Sequence, residues 1–209
     1  MIVTIAHTKG GVGKSTLAWH IIFMFIMLGK RVKVIDLDFQ QTTYFLNQIR
    51  VSSGLDGLEV EQPQDIEELI SLLEDYDEDI VIVDIGGFDN DMNRTAISYA
   101  DKILVPISNS VTEVLGFKTF EAILEDITTQ KLDYPFVNVV LNNIHPLTKN
   151  FDVITEAIGN NPQMKLLKSI IRNRKVYKDT LGVGKSVLDT NDTPAIEDIK
   201  RLCDELTSH

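Results

Sequence analysis

Thr8-Lys9-Gly10-Gly11-Val12-Gly13-Lys14-Ser15-Thr16 stands between a short β-branched run, Ile2 to Ala6, and a long apolar stretch, Ser15 to Leu28. The first reads as a buried strand and the second as a helix. Glycines at such a junction reach backbone conformations closed to other residues, so several N–H groups can turn inward on one anion. The helix start, near Gly13, adds the positive end of its dipole. Lys14 supplies a point charge for β- and γ-phosphates, and the Ser15 hydroxyl can ligate Mg²⁺. The alternative is a Gly-rich turn with no ligand. Gly-Lys-Ser at this offset behind a strand favours a phosphate loop.

Outward from that loop, apolar runs alternate with helical patterns. Val32 to Ile35, Asp79 to Asp84, Ile103 to Ile107 and Phe136 to Leu141 read as further strands. Each is a continuous apolar run bounded by polar, Gly or Pro residues, as expected for strands covered on both faces. Asp65 to Tyr76 sets Ile66, Leu69, Ile70 and Leu73 on one helical face; Val111 to Thr129, Phe151 to Ile158 and Ala195 to Leu206 are further helices. The alternation predicts an α/β fold, a single doubly wound, mostly parallel sheet flanked by helices. No repeat, low-complexity tract or linker interrupts it, so residues 1–209 are expected to form one domain.

Composition narrows the class. At 209 residues, 44% hydrophobic and 24% charged, the chain matches an ordinary globular domain with a substantial core. The opening MIVTIAH lacks a basic n-region and a cleavage site, and the apolar run Ile21 to Leu28 is too short to span a bilayer. A cytoplasmic protein is expected. The one cysteine, Cys203, excludes an internal disulfide and a Cys-rich metal site. A net charge of −11 argues against nucleic-acid binding by the whole surface. The charge is uneven, however: Lys165 to Lys185 holds seven basic residues and one acid, Asp179.

Thr8 occupies the place of the first glycine in the general G-x-x-x-x-G-K-[ST] pattern, and Lys9 is an added lysine. This K-G-G-x-G-K-[ST] run resembles the deviant P-loop of the ParA/MinD family of dimeric ATPases. Val34 to Gln41 (VIDLDFQQ) resembles that family's D-x-D-P-Q segment, with Phe39 in place of proline. Ile82 to Gly87 (IVDIGG) resembles its Walker B and switch region, and Ala100 to Ser110 the strand and loop that follow. The likeness runs in order from Met1 to about Val187.

The resemblance implies ATP and Mg²⁺ as cofactors, with Lys9, Gly10, Gly11, Val12, Gly13, Lys14, Ser15 and Thr16 around the phosphates. It implies a homodimer with ATP sandwiched, in which Lys9 reaches the partner's nucleotide and stabilises the charge of phosphoryl transfer. Asp38 is the candidate for positioning the attacking water, with Asp36 holding its geometry or the metal's water shell. Ser15, Asp38 and Asp84 are the metal candidates, Asp84 through a bound water as Walker B acids act. Gly86 and Gly87 would permit a switch loop that senses the γ-phosphate. Gln40 is a weaker candidate. Asn142 resembles the family's adenine-contacting asparagine; a capping or turn role is the alternative.

The basic window is similar to the late part of ParA-type proteins, where basic residues bind DNA without sequence preference. Arg172, Arg174, Lys175 and Lys178 are the DNA candidates, a solvated helix face being the other reading; phosphate neutralisation makes such binding salt-sensitive. Gly182 to Ser186 (GVGKS) mimics a P-loop end without the preceding apolar strand and is read as coincidence. These features lead to a partitioning ATPase, slow unless a ParB-like centromere-binding or adaptor protein stimulates it, and nucleoid-associated in the cytoplasm. With the loop starting at residue 8, no N-terminal helix-turn-helix and no site-specific repression are expected. A MinD-like positioning ATPase is the alternative. Its membrane form would need a basic amphipathic C-terminal helix, whereas Ala195 to His209 carries four acids. One cysteine cannot build a shared iron–sulfur cluster.

Overall fold

A computed structural model describes residues 1–109, 119–127, 136–159 and 161–208. Its strands are β1 (Ile2–Ile5), β2 (Val32–Leu37), β3 (Val60–Glu61), β4 (Ile80–Ile85), β5 (Lys102–Ile107), β6 (Val137–Ile144) and β7 (Met164–Arg172). They form one sheet in the order β3-β2-β4-β1-β5-β6-β7. Every pairing is parallel. The helices are α1 (Lys14–Met27), α2 (Thr42–Ser52), α3 (Ile66–Glu74), α4 (Asp91–Tyr99), α5 (described over 119–127), α6 (Asp152–Gly159), α7 (Val176–Asp179) and α8 (Thr193–Thr207).

Strand residues alternate between two cores, as the period of two requires. Val81, Val83 and Ile85 of β4 face a cluster with Leu69 and Leu73 of α3, Ala96 and Ile97 of α4, Phe120 and Leu124 of α5, and Ile154 of α6. Ile80 and Ile82 face the opposite cluster, which holds α1 and the apolar side of α8. Covering both faces explains why the strands read as unbroken apolar runs. Helix α1 is buried almost all round: Trp19 and Phe23 pack with Leu46 of α2 while Leu17, Ile21 and Phe25 meet the sheet side.

Side-chain caps set several helix starts. Asp65 Oδ1 accepts from Glu68 N (2.9 Å), Asn90 Oδ1 from Asn93 N (2.8 Å) and Asp192 Oδ1 from Ala195 N (3.1 Å).

The five expected strands are present with ends moved by a residue or a few. Two strands and two long helices were not anticipated: β3, β7, α2 and α4. Strand β7 carries Lys165 and Lys168 at exposed positions of an alternating burial pattern. As the sheet's edge it exposes basic side chains, which hid its strand character behind a charge cluster. Glu205 of α8 secures that edge, accepting from Lys168 N (2.8 Å), Ser169 N (2.9 Å) and Ser169 Oγ (2.7 Å). The expected helix at Val111 to Thr129 falls partly outside the described residues, as does Ser110; its described part, 119–127, is helical.

The second Gly-Lys-Ser run is a docking loop. Its carbonyls face inward: Trp19 Nε1 donates to Lys185 O (3.0 Å) and Arg50 Nη1 to Gly184 O (3.1 Å). Ser186 caps the short 3₁₀ turn Val187–Asp189. Arg50 is buried, donates to Asp189 Oδ2 (3.0 Å) and stacks over the Phe23 ring at 4.2 Å. A phosphate loop needs inward N–H groups and a following helix; this loop has neither.

Candidate nucleotide-binding site

The carboxyl ends of β1, β2, β4 and β6 converge on one rim, where open parallel sheets bind their ligands. From β1 the chain enters the Gly-rich loop. Gly11 and Gly13 take positive φ (78° and 92°), and Gly13 caps α1. A Cβ at Gly13 would lie 2.7 Å from Asn142 Nδ2, so only glycine admits the asparagine there. Asn142, at the end of β6, donates to Val12 O (2.8 Å). It thus braces the loop itself, beside whatever it offers a base.

Lys14 is buried, and its Nζ donates to Lys9 O across the loop (3.4 Å). Burial lowers its pKa, while the charges of Asp84 and Asp38 act in the opposite direction. Lys9 is exposed, and its backbone N–H donates to Nδ1 of the buried His7 (2.9 Å). Ser15 and Thr16 are half-buried on the first turn of α1, and Gly10 is exposed.

Three carboxylates face the loop with separate duties. Asp36 is buried; its Oδ1 accepts from Asp38 N (3.0 Å) and its Oδ2 from Tyr44 N (2.9 Å). Burial raises its pKa against those hydrogen bonds. Both its oxygens are spent on backbone, so it shapes the turn that presents Asp38. Asp38 is half-exposed, and its Oδ1 accepts from Gln40 N (3.0 Å). Gln40 enters through that backbone contact. Asp84 is fully buried; burial and the neighbouring Asp36 carry its pKa up to about 7, opposed by the Ser15 and Thr43 hydroxyls. Its Oδ2 accepts from Thr43 Oγ1 (2.8 Å), and its buried Oδ1 makes no hydrogen bond among the described residues.

The loop after β4 lies tight against both neighbours. A Cβ at Gly86 would be 3.4 Å from Asp38 Oδ1, and one at Gly87 3.3 Å from Thr8 O. Beyond them Arg94 of α4 pairs with Asp89 (2.7 Å) and also with Asp126 of α5. Phe88 is 74% exposed, as is Phe39 at 83%.

Beside the phosphate loop a recess is lined by Gly11, His20, Asn142, Arg172, Arg174 and Lys178, among others. His20 is buried, its Nε2 3.1 Å from Tyr177 O and its Nδ1 accepting from Val187 N (3.3 Å). Arg172 Nη1 donates to Thr148 O (3.0 Å), and Arg174 Nε to Asp198 Oδ2 (3.1 Å). Three of the basic residues read as DNA contacts thus stand on a wall of this recess beside the phosphate loop. Lys175 is exposed and pairs with Asp179 at 3.4 Å. The charge run continues through the end of β7 and the short α7, so it is no single helix face.

Residues 3–187 match the family model for the CobQ/CobB/MinD/ParA nucleotide binding domain. The chain belongs to this family. Protein ParA of Rhizobium radiobacter is 26% identical over 178 residues, covering 82% of this chain and 73% of that protein. Among solved structures, the MinD cell division protein of Aquifex aeolicus aligns with a TM-score of 0.76 at 22% identity, over 100% of this chain and 97% of that one. An ATP complex of a McdA variant from Cyanothece aligns at 0.75 and 16% identity, over 100% and 96%. As a CobQ/CobB/MinD/ParA domain of the ParA/MinD kind, the chain is a nucleotide-binding ATPase with that fold.

Thr43, His20 and Arg50 were missed in the sequence. A lone threonine, histidine and arginine carry no motif, and only the fold brings them to their partners.

Proposed function

We propose that the chain works as one domain, a ParA-type partitioning ATPase that dimerises around ATP, holds DNA without sequence preference and releases it on hydrolysis. The observation that carries this reading is the buried cluster of Lys14, Asp36 and Asp84 under a glycine loop that presents Lys9 outward. Relatedness to a protein named ParA supports the partitioning role.

The residues fit a nucleotide with magnesium. The unpartnered Asp84 Oδ1 is an acceptor for a metal-bound water, and Ser15 is a hydroxyl ligand on the adjoining helix turn. Bound there, Mg²⁺ would offset charge between the β- and γ-phosphates. Loop N–H groups and Lys14 Nζ bind the phosphates. Asp36 fixes the turn at Asp38, and Asp38 orients the attacking water through its carboxylate. Lys9 of a second copy would add positive charge where it develops in the transition state. Phe39 and Phe88, exposed on the same rim, offer apolar surface to that copy.

Lys175, exposed just before α7, is the freer DNA contact, with Arg172, Arg174 and Lys178 shared with the nucleotide wall. Two such patches on a dimer would bind more strongly together than singly. A ParB-like or adaptor partner would set the hydrolysis rate.

The second reading is positioning of a protein cluster or a membrane-bound partner, supported by the likeness to MinD and McdA. The apolar side of α8 is packed into the core through Ala195, Ile199, Leu202 and Leu206, which leaves a bilayer little to bind. Among the described residues no helix is long and apolar enough to cross a membrane. Phosphate release, together with mass in solution for Asp38→Ala with and without ATP and random-sequence DNA, tests the proposal. A protein that stays single and off DNA with ATP bound refutes the partitioning reading; liposome co-sedimentation would favour the other.

A further inference from the structure

The first turn of α2 touches both buried carboxylates. Thr43, wholly buried, donates its hydroxyl to Asp84 Oδ2 (2.8 Å), and the next residue, Tyr44, donates its N–H to Asp36 Oδ2 (2.9 Å). Asp36 and Asp84 are register partners on adjacent strands, so one helical turn holds two neighbouring acids apart in orientation. A carboxylate free to rotate presents either oxygen or both. With Oδ2 claimed by Thr43, Oδ1 of Asp84 is the oxygen left without a partner, and it is completely buried. An unmet buried acceptor is costly, so it belongs to a site that is completed by a donor. Gln41, with φ of 49°, turns the chain so that this helix begins directly after the Asp38 loop.

We infer that Thr43 is a positioning residue for the magnesium site: its hydroxyl locks Asp84 so that Oδ1 alone faces the metal's water shell. This rests on the nucleotide–magnesium reading above. Because Thr43 sits on the helix that follows the Asp38 loop, the lock also ties metal geometry to the water-positioning loop.

The test titrates Mg²⁺ against the full-length protein at fixed fluorescent ATP analogue, for wild type, Thr43→Val, Thr43→Ala and Thr43→Ser. Valine keeps the shape and removes the hydroxyl. A lost hydrogen bond to a charged group should raise the Mg²⁺ midpoint on the order of tenfold in Val and Ala, while metal-free nucleotide affinity stays within about twofold. Serine should restore the midpoint. Alanine, the smaller side chain, keeps the comparison open if valine impairs folding, and circular dichroism verifies each variant. An unshifted midpoint in the hydroxyl-free variants overturns the inference, as does a serine variant shifted as far as valine, which would mean packing rather than the hydroxyl. Wild type lacking Mg²⁺-dependent binding would instead overturn the nucleotide–magnesium reading and this inference with it.

Discussion

Asp36 and Asp84 lie side by side as register partners of β2 and β4, two buried carboxylates under the loop that carries a buried Lys14. Burial disfavours the charge on all three; Asp84 and Asp38 favour that of Lys14, while Asp36 further disfavours that of Asp84. Removing the cation leaves a buried acidic pair and a phosphate loop with no point charge. Lys14→Ala is expected to lose nucleotide binding in calorimetry at concentrations that saturate wild type. Asp38→Ala, changing a half-exposed acid outside that pair, should bind ATP with near-normal affinity. Its phosphate release should fall by about 10²-fold or more, the scale of losing a transition-state contact.

Lys9 and the exposed Phe39 and Phe88 share one rim. In an Asp38→Ala background, ATP should double the mass seen by sedimentation. Phe88→Ser should weaken that association by about 10- to 100-fold, from the apolar burial of one aromatic ring. Lys9→Ala should lower it too while leaving monomer binding of nucleotide intact. Unchanged association in both variants would move the interface elsewhere.

Arg172, Arg174 and Lys178 line the recess beside the phosphate loop, while Lys175, exposed just before α7, stands outside it. Lys175→Ala should cut retention on random duplex and flatten its salt dependence by about one phosphate contact, with nucleotide affinity unmoved. Arg172→Ala/Arg174→Ala should reduce both retention and nucleotide affinity. Calorimetry beside a filter-binding salt series separates the two effects.

Gly184 holds φ of 64°, and a Cβ on it would meet Arg50 N at 2.2 Å. Backbone must yield, so Gly184→Ala should unfold at lower urea concentration, by about 2 kcal/mol or more. Arg50→Met strands Asp189 and removes the contact with Phe23, and is expected to cost about 3 kcal/mol. The double variant should lose less than the sum, since both act at one contact.

His20 is held near neutral form, its pKa lowered by burial to about 4, with the Tyr177 carbonyl and Asp189 pulling the other way. The unfolded chain takes up this proton near 6.5 and the folded chain only near 4, so stability falls as pH drops through that window. The full difference is about 3 kcal/mol. Urea midpoints at pH 7 and pH 4.5 should differ less in His20→Gln than in wild type, the carboxylates being common to both.

The local code of the chain determined the phosphate loop, the α/β alternation and the five most apolar strands. Those signals are short-range: glycines between a strand and a helix, apolar runs long enough to be covered on both faces, Asp38 and Asp84 at strand ends. Tertiary structure decided what depends on partners far away in sequence. Lysines at exposed edge positions masked β7, and α2 and α4 lack a long apolar period. Arg172 and Arg174 looked like surface charge, yet the return of β7 beside β6 sets them on the wall of the recess beside the phosphate loop. Thr43 acquired its role only when the first turn of α2 met Asp84 of β4, 41 residues further along. Hydrogen bonds of that reach leave no spacing to read, because the sheet order, and not the sequence order, brings the atoms together.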